Sequence, residues 1–193
     1  MTPEISPLAT VARDCTVSGR VIIGPGCRIL PGARIVAEGG GSIHLGRNCI
    51  VLENAVIRAT ARQDCRIGES CLIGPQAHIV GATLADEVFV ATGASVFHGA
   101  TIGKGAEVRI NAVVHLRSTL PPGATVPIGW VAVGDPARIL PPDQHEAIWE
   151  IQSRLDFPGF VYGLDRSDPD LMRKVTARLS EELDSDDRSK PLP

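Results

Sequence analysis

Branched aliphatic residues recur at every sixth position along most of the chain, with small or polar residues between them. The series has nineteen positions and three interruptions: Val11, Val17, Ile23, Ile29, Ile35, Leu45, Val51, Ile57, Ile67, Ile73, Ile79, Leu84, Val90, Val96, Ile102, Val108, Val114, Leu120 and Val126. The fourth residue after most of them is small, and a glycine often follows directly, as at Gly46 and Gly68. This period is typical of a solenoid made of repeated short strands and turns.

Each hexapeptide predicts one flat strand and a turn, with the aliphatic side chain inside and the small residue at a tight corner. Three hexapeptides then form one triangular coil, and residues about 18 positions apart stack at the strand spacing of about 4.8 Å. The series accounts for roughly six coils. Crossovers between parallel strands are normally right-handed, but this hexapeptide pattern resembles the left-handed β-helix proteins. We therefore expect an all-β solenoid, a left-handed parallel β-helix with a C-terminal α-helical segment.

The interruptions and a change of pattern divide the chain. Residues 37–42 (AEGGGS) and 58–65 (RATARQDC) predict loops that project from the prism, where such folds carry function, and the step from Ile79 to Leu84 is one residue short. Beyond Val126, helical spacing predicts helices in QHEAIWEIQSRL and from residue 170 to about 183. We expect a β-helix domain over 1–135, a helical segment over 136–185 that packs on the prism or a neighbouring subunit, and a disordered tail over 186–193.

Composition supports a thin prism and excludes several partners. Aromatic residues make up 4% of the chain and none precedes Phe89, which suits a narrow interior filled by branched and small side chains. Four of the five cysteines occupy small-residue positions, Cys65 falls in the second loop, and no zinc-binding spacing occurs. The net charge of −3 gives no footprint for nucleic acid. Without an apolar run of roughly 18 residues or a signal-peptide pattern, we expect a cytoplasmic protein with no membrane partner.

The segments IHLGRNCIVLENAVIR, CRIGESCLIGPQAHIVGATL and VGDPARI resemble the γ-class carbonic anhydrase-like proteins of the hexapeptide superfamily, over about residues 11–140. The resemblance implies a homotrimer in which three histidines from two adjacent subunits hold a divalent metal. Arg58, Pro75 and Val80 stand at these three positions here, and none of them can replace a histidine ligand. The family's Gln-Asp pair becomes Leu52-Glu53. We therefore predict no metal ligands at the usual positions.

His98 and His115 are the candidate catalytic residues among the five histidines. They are 17 residues apart, nearly one coil, so the register places them on adjacent coils near the same edge. Their arrangement fits a general base for acyl transfer, part of a shifted metal site, or two interface histidines hydrogen-bonded to a neighbour. His44 and His78 are expected to point outward, with His78 too offset to complete a metal site, and His145 is expected to be exposed.

Arg58 provides a guanidinium where the relatives place a metal ligand, with Arg62 and Arg66 in the adjoining loop. Arg58 and Glu53 are therefore candidate substrate-binding residues for a small carboxylate or phosphate at the subunit interface. Alternatively, Arg58 forms an ion pair with Glu53 or Glu38 and stabilises the trimer.

Three functions remain open at the level of sequence. The first is a trimeric γ-carbonic-anhydrase-like protein without the three-histidine zinc site, which transfers an acyl group from acetyl-CoA to a small molecule in the cleft between subunits. The second is a non-catalytic scaffold. The third is a carbonic anhydrase whose zinc, or other divalent metal, is held at a relocated site. The expected partners are further copies of the chain and a small-molecule ligand, not nucleic acid or membrane.

Overall fold

The protein is described by a computed structural model that covers residues 2–184 of the 193, with side chains described as far as residue 181. The tail predicted over 186–193 lies outside the described residues. The described chain forms a three-sided parallel β-solenoid of about seven turns with a short C-terminal helical segment. The predicted fold class, a left-handed β-helix of hexapeptide repeats, is confirmed.

Each coil contributes one short strand to each of three faces. Face A consists of β1 (Glu4–Ile5), β4 (Arg20–Ile23), β7 (Ser42–Leu45), β10 (Cys65–Ile67), β13 (Thr83–Leu84), β16 (Thr101–Ile102) and β19 (Thr119–Leu120). Face B consists of β2 (Thr10–Val11), β5 (Arg28–Ile29), β8 (Ile50–Val51), β11 (Leu72–Ile73), β14 (Phe89–Val90), β17 (Glu107–Val108) and β20 (Thr125–Val126). Face C consists of β3 (Thr16–Ser18), β6 (Arg34–Ala37), β9 (Val56–Ala59), β12 (His78–Val80), β15 (Ser95–Val96), β18 (Val113–Val114), β21 (Val131–Val133) and β22 (Arg138–Leu140).

The register follows the hexapeptide series, with one more coil than the sequence predicts. Ile57, Ile79 and Val96 are paired across successive strands of face C, and each is fully buried. The additional coil uses Ile5, which pairs with Ile23 on the exposed first strand, and Ala132, which pairs with Val114. The prediction stopped short at the C-terminal end because it followed branched aliphatic residues only, whereas alanine fills the last inward position. At the N-terminal end it began at Val11 and left out Ile5, which stands six positions earlier.

The interior is filled by stacked aliphatic columns with small residues at the corners. Burying one such branched side chain contributes about 1.5–3 kcal/mol, so the stack of coils carries most of the stability. The corner cysteines donate weak hydrogen bonds to backbone carbonyls of the next coil, as Cys27 does to Gly46 and Cys49 does to Gly68, both at 3.0 Å. The placement of Cys65 in a projecting loop is wrong. Cys65 lies on β10 with its side chain fully buried, because the strand begins earlier than the hexapeptide pattern indicates.

The C-terminal segment covers part of face C. Strand β22 turns back antiparallel to β21, and helix α1 (His145–Gln152) follows, with Ile148 buried against Val133 and Leu140. A 3₁₀ turn (Ser153–Leu155) and a π-helical turn (Pro158–Tyr162) lead to helix α2 (Leu171–Asp184). No helix within residues 2–184 is long and apolar enough to cross a lipid bilayer.

Candidate active site at the corner between faces C and A

Both chain insertions and the shortened step lie at the same corner of the prism, between faces C and A. The first insertion follows β6 over residues 38–41, and the second follows β9 over residues 60–64. They stack on one another, and the Ser42 amide donates to the Asp64 carboxylate at 2.7 Å. In the next coil only Gly81 and Ala82 connect β12 to β13. The long connections therefore overhang a short one, and a notch opens between them and the following coil.

A cavity of about 300 Å³ occupies this notch. The C-terminal segment closes it from outside. The first cavity is lined by Glu38, Gly39, Arg58, Thr60, Ala61, Arg62, His78, Val80, Phe97, His98, Phe157, Val161, Tyr162 and Leu179.

A second cavity, of about 320 Å³, also borders His98. It is lined by Phe97, His98, His115, Leu116, Trp149, Gln152, Phe157 and Arg166. Three residues, Phe97, His98 and Phe157, border both cavities. Among the described titratable side chains, His98 alone borders both cavities, so two separate ligands could each reach it.

The corner backbone fixes the position of His98. The Phe97 amide donates to the Val114 carbonyl at 3.0 Å, and the Arg117 amide donates to the His98 carbonyl at 2.9 Å. Gly99 follows with a φ of +70°, in the left-handed region that glycine adopts without strain. The ring of Phe160 lies against Gly99 and under the guanidinium of Arg117, 5.2 Å from the ring centroid. The C-terminal segment thus packs directly on the turn that carries His98.

His98 is a neutral imidazole in a low-polarity setting. Burial lowers its pKa from 6.5 to about 4, with further contributions from the positive charge of Arg58 and from His78. Its Nδ1 is buried and has no hydrogen-bond partner among the described residues. Since an unpaired buried polar atom is unfavourable, this nitrogen is poised to accept or donate a hydrogen bond when a ligand enters.

His78 and His115 show the same two properties, each beside one cavity. Burial lowers the pKa of both, with Arg58 adding to the effect on His78 and a Leu116 backbone hydrogen bond opposing it at His115. Within the described part of the chain, Nε2 of His78 and Nδ1 of His115 are buried without partners. His78 faces outward as expected, but its ring lies 6.3 Å from that of Phe97, inside the first cavity. The other two histidines, His44 and His145, are exposed.

Arg58 and Glu53, both interpreted as substrate-binding residues, lie at different corners. Arg58 borders the first cavity and forms an ion pair with Glu38, which stands 20 residues earlier in the stacked coil. Glu53 is exposed in the turn between faces B and C and borders neither cavity. The whole length of strand β9 separates Glu53 from the notch, so its side chain does not meet Arg58 there.

The residues at the notch do not fit a three-histidine metal centre of the kind that the γ-class resemblance implies. Arg58 and Val80 line the first cavity, whereas Pro75 lies in the turn between faces B and C. No group of three His, Cys, Asp or Glu side chains among the described residues is arranged to hold a metal ion. The donor set therefore supports neither the usual zinc site nor a relocated one within a single chain.

Sequence reasoning missed the C-terminal cover and, with it, the role of His78. Aromatic rings from this segment (Trp149, Phe157, Tyr162) form the outer walls of both cavities. A signal was present in the outward positions of face C, where Val36, Val80 and Val133 are apolar and buried. On face A, by contrast, the outward residues that precede the inward aliphatics are polar: His44, Arg66, Thr83, Thr101 and Thr119. Buried apolar residues at outward positions indicate that face C is covered.

Neither a protein-family model nor a curated protein matches the chain. Solved structures do match. A Bacillus cereus protein described as an acetyltransferase is 19% identical, with a TM-score of 0.50, over 79% of this chain and 87% of its own. A hexapeptide transferase family protein from Anaplasma phagocytophilum is 24% identical, with a TM-score of 0.47, over 79% of this chain and 86% of its own. WeeI from Acinetobacter baumannii is 26% identical, with a TM-score of 0.49, over 69% of this chain and 58% of its own. At 19% identity the likeness to the Bacillus cereus protein establishes the fold alone: the chain is a left-handed parallel β-helix of hexapeptide repeats.

Proposed function

We propose that the protein transfers an acyl group from acetyl-CoA, or a similar thioester, to a small acceptor, with His98 as the general base. The observation that carries the proposal is that His98 borders both cavities. A base for group transfer must contact the acceptor while the acyl donor lies within reach, and this arrangement provides both. The Bacillus cereus neighbour is described as an acetyltransferase, which is compatible with the proposal.

The reaction requires one proton to be taken and returned. The neutral His98 imidazole accepts a proton from an amine or hydroxyl of the acceptor as its nitrogen or oxygen attacks the thioester carbonyl carbon. The carbon–sulfur bond then breaks, and the thiolate takes up the proton from His98. The products are the acylated acceptor and the free thiol. His115, on the next coil and also bordering the second cavity, is available to hydrogen-bond the donor.

A homotrimer is part of the proposal. Face C is covered by the chain itself and the outward column of face A is largely polar, whereas Ile50, Leu72 and Phe89 stack as a partly exposed apolar column on face B. Uncovered apolar stripes of this kind commonly form subunit interfaces. Sedimentation at three times the 20.4 kDa of one chain is expected, and a 20.4 kDa species would contradict the assembly.

We also propose a cytoplasmic location. All five cysteines are free thiols, and four of them are buried. Unpaired thiols in every position are typical of a reducing compartment, which is also where acetyl-CoA is plentiful. We carry no hydration chemistry over from the γ-class carbonic anhydrase-like resemblance of the sequence.

The test combines binding with turnover. Calorimetry should detect acetyl-CoA binding to the wild-type protein, and release of the CoA thiol should be followed with a panel of primary amines, with mass spectrometry to identify the acetylated product. His98→Asn should retain binding and reduce turnover at least 100-fold. His145→Asn, an exposed histidine on helix α1, is the matched control and should be unchanged. Absence of acetyl-CoA binding, or full activity of His98→Asn, would overturn the proposal. Absence of acetyl-CoA binding would favour the non-catalytic scaffold instead.

A further inference from the structure

Two guanidinium groups converge near Gly163, and one of them, that of Arg62, lines the first cavity. Gly163 ends the π-helical turn, and a methyl group built on its Cα would lie 2.7 Å from Nη1 of Arg62 and 3.4 Å from Nη1 of Arg178. Both nitrogens therefore lie within 3.4 Å of one point. Arg62 comes from the second insertion and Arg178 from helix α2, so elements far apart in sequence bring two positive charges together at this point.

Neither charge is balanced by a carboxylate among the described side chains. Arg178 donates to the carbonyl of Tyr162, and Arg62 makes no hydrogen bond or ion pair with a described residue. Six other described arginines are paired with an acid: Arg47, Arg58, Arg66, Arg109, Arg154 and Arg173. Two like charges held together at an otherwise open cavity mouth favour a ligand that carries compensating negative charge.

The two cavities also differ in the groups they present. Beyond the mouth, the first cavity contains the hydroxyl of Thr60, the phenol of Tyr162 and the unpartnered Nε2 of His78. The second cavity is walled mainly by Phe97, Leu116, Trp149 and Phe157. A polar, charged ligand part therefore fits the first cavity, and an apolar arm fits the second.

We propose that Arg62 and Arg178 form a phosphate subsite at the mouth of the first cavity, which holds the phosphate group of a substrate whose reacting end lies at His98. Two cations match a phosphate or diphosphate dianion, and the planar guanidinium is well suited to its oxygens. The phosphate comes either from a nucleotide-activated acceptor or from the acyl donor itself. Which of these two molecules supplies the phosphate depends on the proposed acyl transfer. The presence of the phosphate subsite does not depend on it.

An anion in this cavity also acts on the base. Burial and the positive charge of Arg58 both lower the pKa of His98, and a bound dianion in the same cavity offsets the charge of Arg58. The pKa of His98 then rises, and an imidazole with a higher pKa is a more effective general base. Phosphate binding thereby couples occupancy of the first cavity to the strength of the base.

The experiment measures binding rather than turnover, on the full chain. Calorimetric titrations use inorganic pyrophosphate, UDP, CoA and 3′-dephospho-CoA as probes. Arg62→Gln and Arg178→Gln should each weaken binding of the phosphate probe at least tenfold, since each removes one charge-assisted contact. Arg173→Gln is the matched control, because Arg173 lies on the same helix, is paired with Asp170 and lines neither cavity.

The probes separate the two sources. Arginine-dependent binding of UDP and pyrophosphate assigns the subsite to the acceptor, whereas an arginine-dependent preference for CoA over 3′-dephospho-CoA assigns it to the donor, and either result supports the subsite. No arginine-dependent binding of any probe, or equal weakening by Arg173→Gln, would overturn it. If phosphate binds as expected but no acyl transfer occurs, the proposed function fails and the subsite stands. If acyl transfer depends on His98 but not on Arg62 or Arg178, the phosphate subsite fails and the proposed function stands.

Discussion

The lowered pKa of His98 makes the stability of the protein depend on pH in a defined window. The folded protein holds this imidazole neutral, because burial, Arg58 and His78 all disfavour its protonated form. The unfolded chain protonates the same imidazole near pH 6.5. Between pH 6.5 and 4 the unfolded state therefore binds more protons than the folded state. The contribution of His98 to stability is complete above pH 6.5 and is lost as the pH falls toward 4.

The magnitude follows from the change in pKa. A change from 6.5 to about 4 corresponds to an upper limit of about 3 kcal/mol, since one pKa unit is about 1.4 kcal/mol. His98 is only partly buried and borders two cavities that open to solvent, so screening reduces this value. We expect wild-type protein to lose about 2 kcal/mol more unfolding free energy than His98→Gln between pH 7.5 and 4.5.

Urea unfolding monitored by circular dichroism at both pH values measures the difference, and the variant comparison cancels the titration of carboxylates elsewhere. His145→Gln, which alters an exposed histidine, should show no such pH-dependent difference. The imidazole Cε1–H resonance of His98 should titrate with a midpoint well below 6. A midpoint at or above 6, or a destabilisation by His98→Gln that is independent of pH, would refute the reasoning.

Two further predictions test the cover and the core. Gly99→Ala places a methyl group 2.8 Å from the ring of Phe160 at a φ of +70°, whereas Gly105→Ala has a φ of +66° and no atom within 4 Å. Both substitutions should lower the free energy of unfolding by about 1 kcal/mol because of the backbone conformation. Only Gly99→Ala should also loosen the C-terminal segment, which is measured as faster amide hydrogen exchange in the π-helical turn. Equal exchange in the two variants would contradict the packing of Phe160 on Gly99. Burial raises the pKa of the Cys65 thiol to about 12. Cys65 should therefore not react with a thiol reagent at pH 8 until the protein unfolds, whereas the partly exposed Cys15 should react in the folded protein. Labelling of Cys65 in the native state would show that β10 does not begin there.

The sequence was sufficient for the solenoid because the hexapeptide repeat is local. One inward aliphatic residue every six positions fixes which side chains face the core, and the stacking of coils then makes each contact a fixed step along the chain. The same register placed His98 and His115 on adjacent coils, and it offered Glu38 as one of two partners for Arg58. Errors arose at the two ends of the series, at Ile5 and Ala132, and at Cys65, which lies on a strand that begins inside a predicted loop.

The candidate site depended on information that no period carries. Arg62 and Arg178 are separated by most of the chain, and they meet because helix α2 and the π-helical turn dock against a corner shaped by two insertions and one deletion. Amphipathic spacing predicts that a helix packs, but it does not specify the surface on which it packs, since many apolar stripes are complementary to a helix. The sequence by itself thus determined the prism and the direction of its side chains. The tertiary structure alone decided which corner is enclosed, which histidines lose their solvent, and which charges are left without a partner.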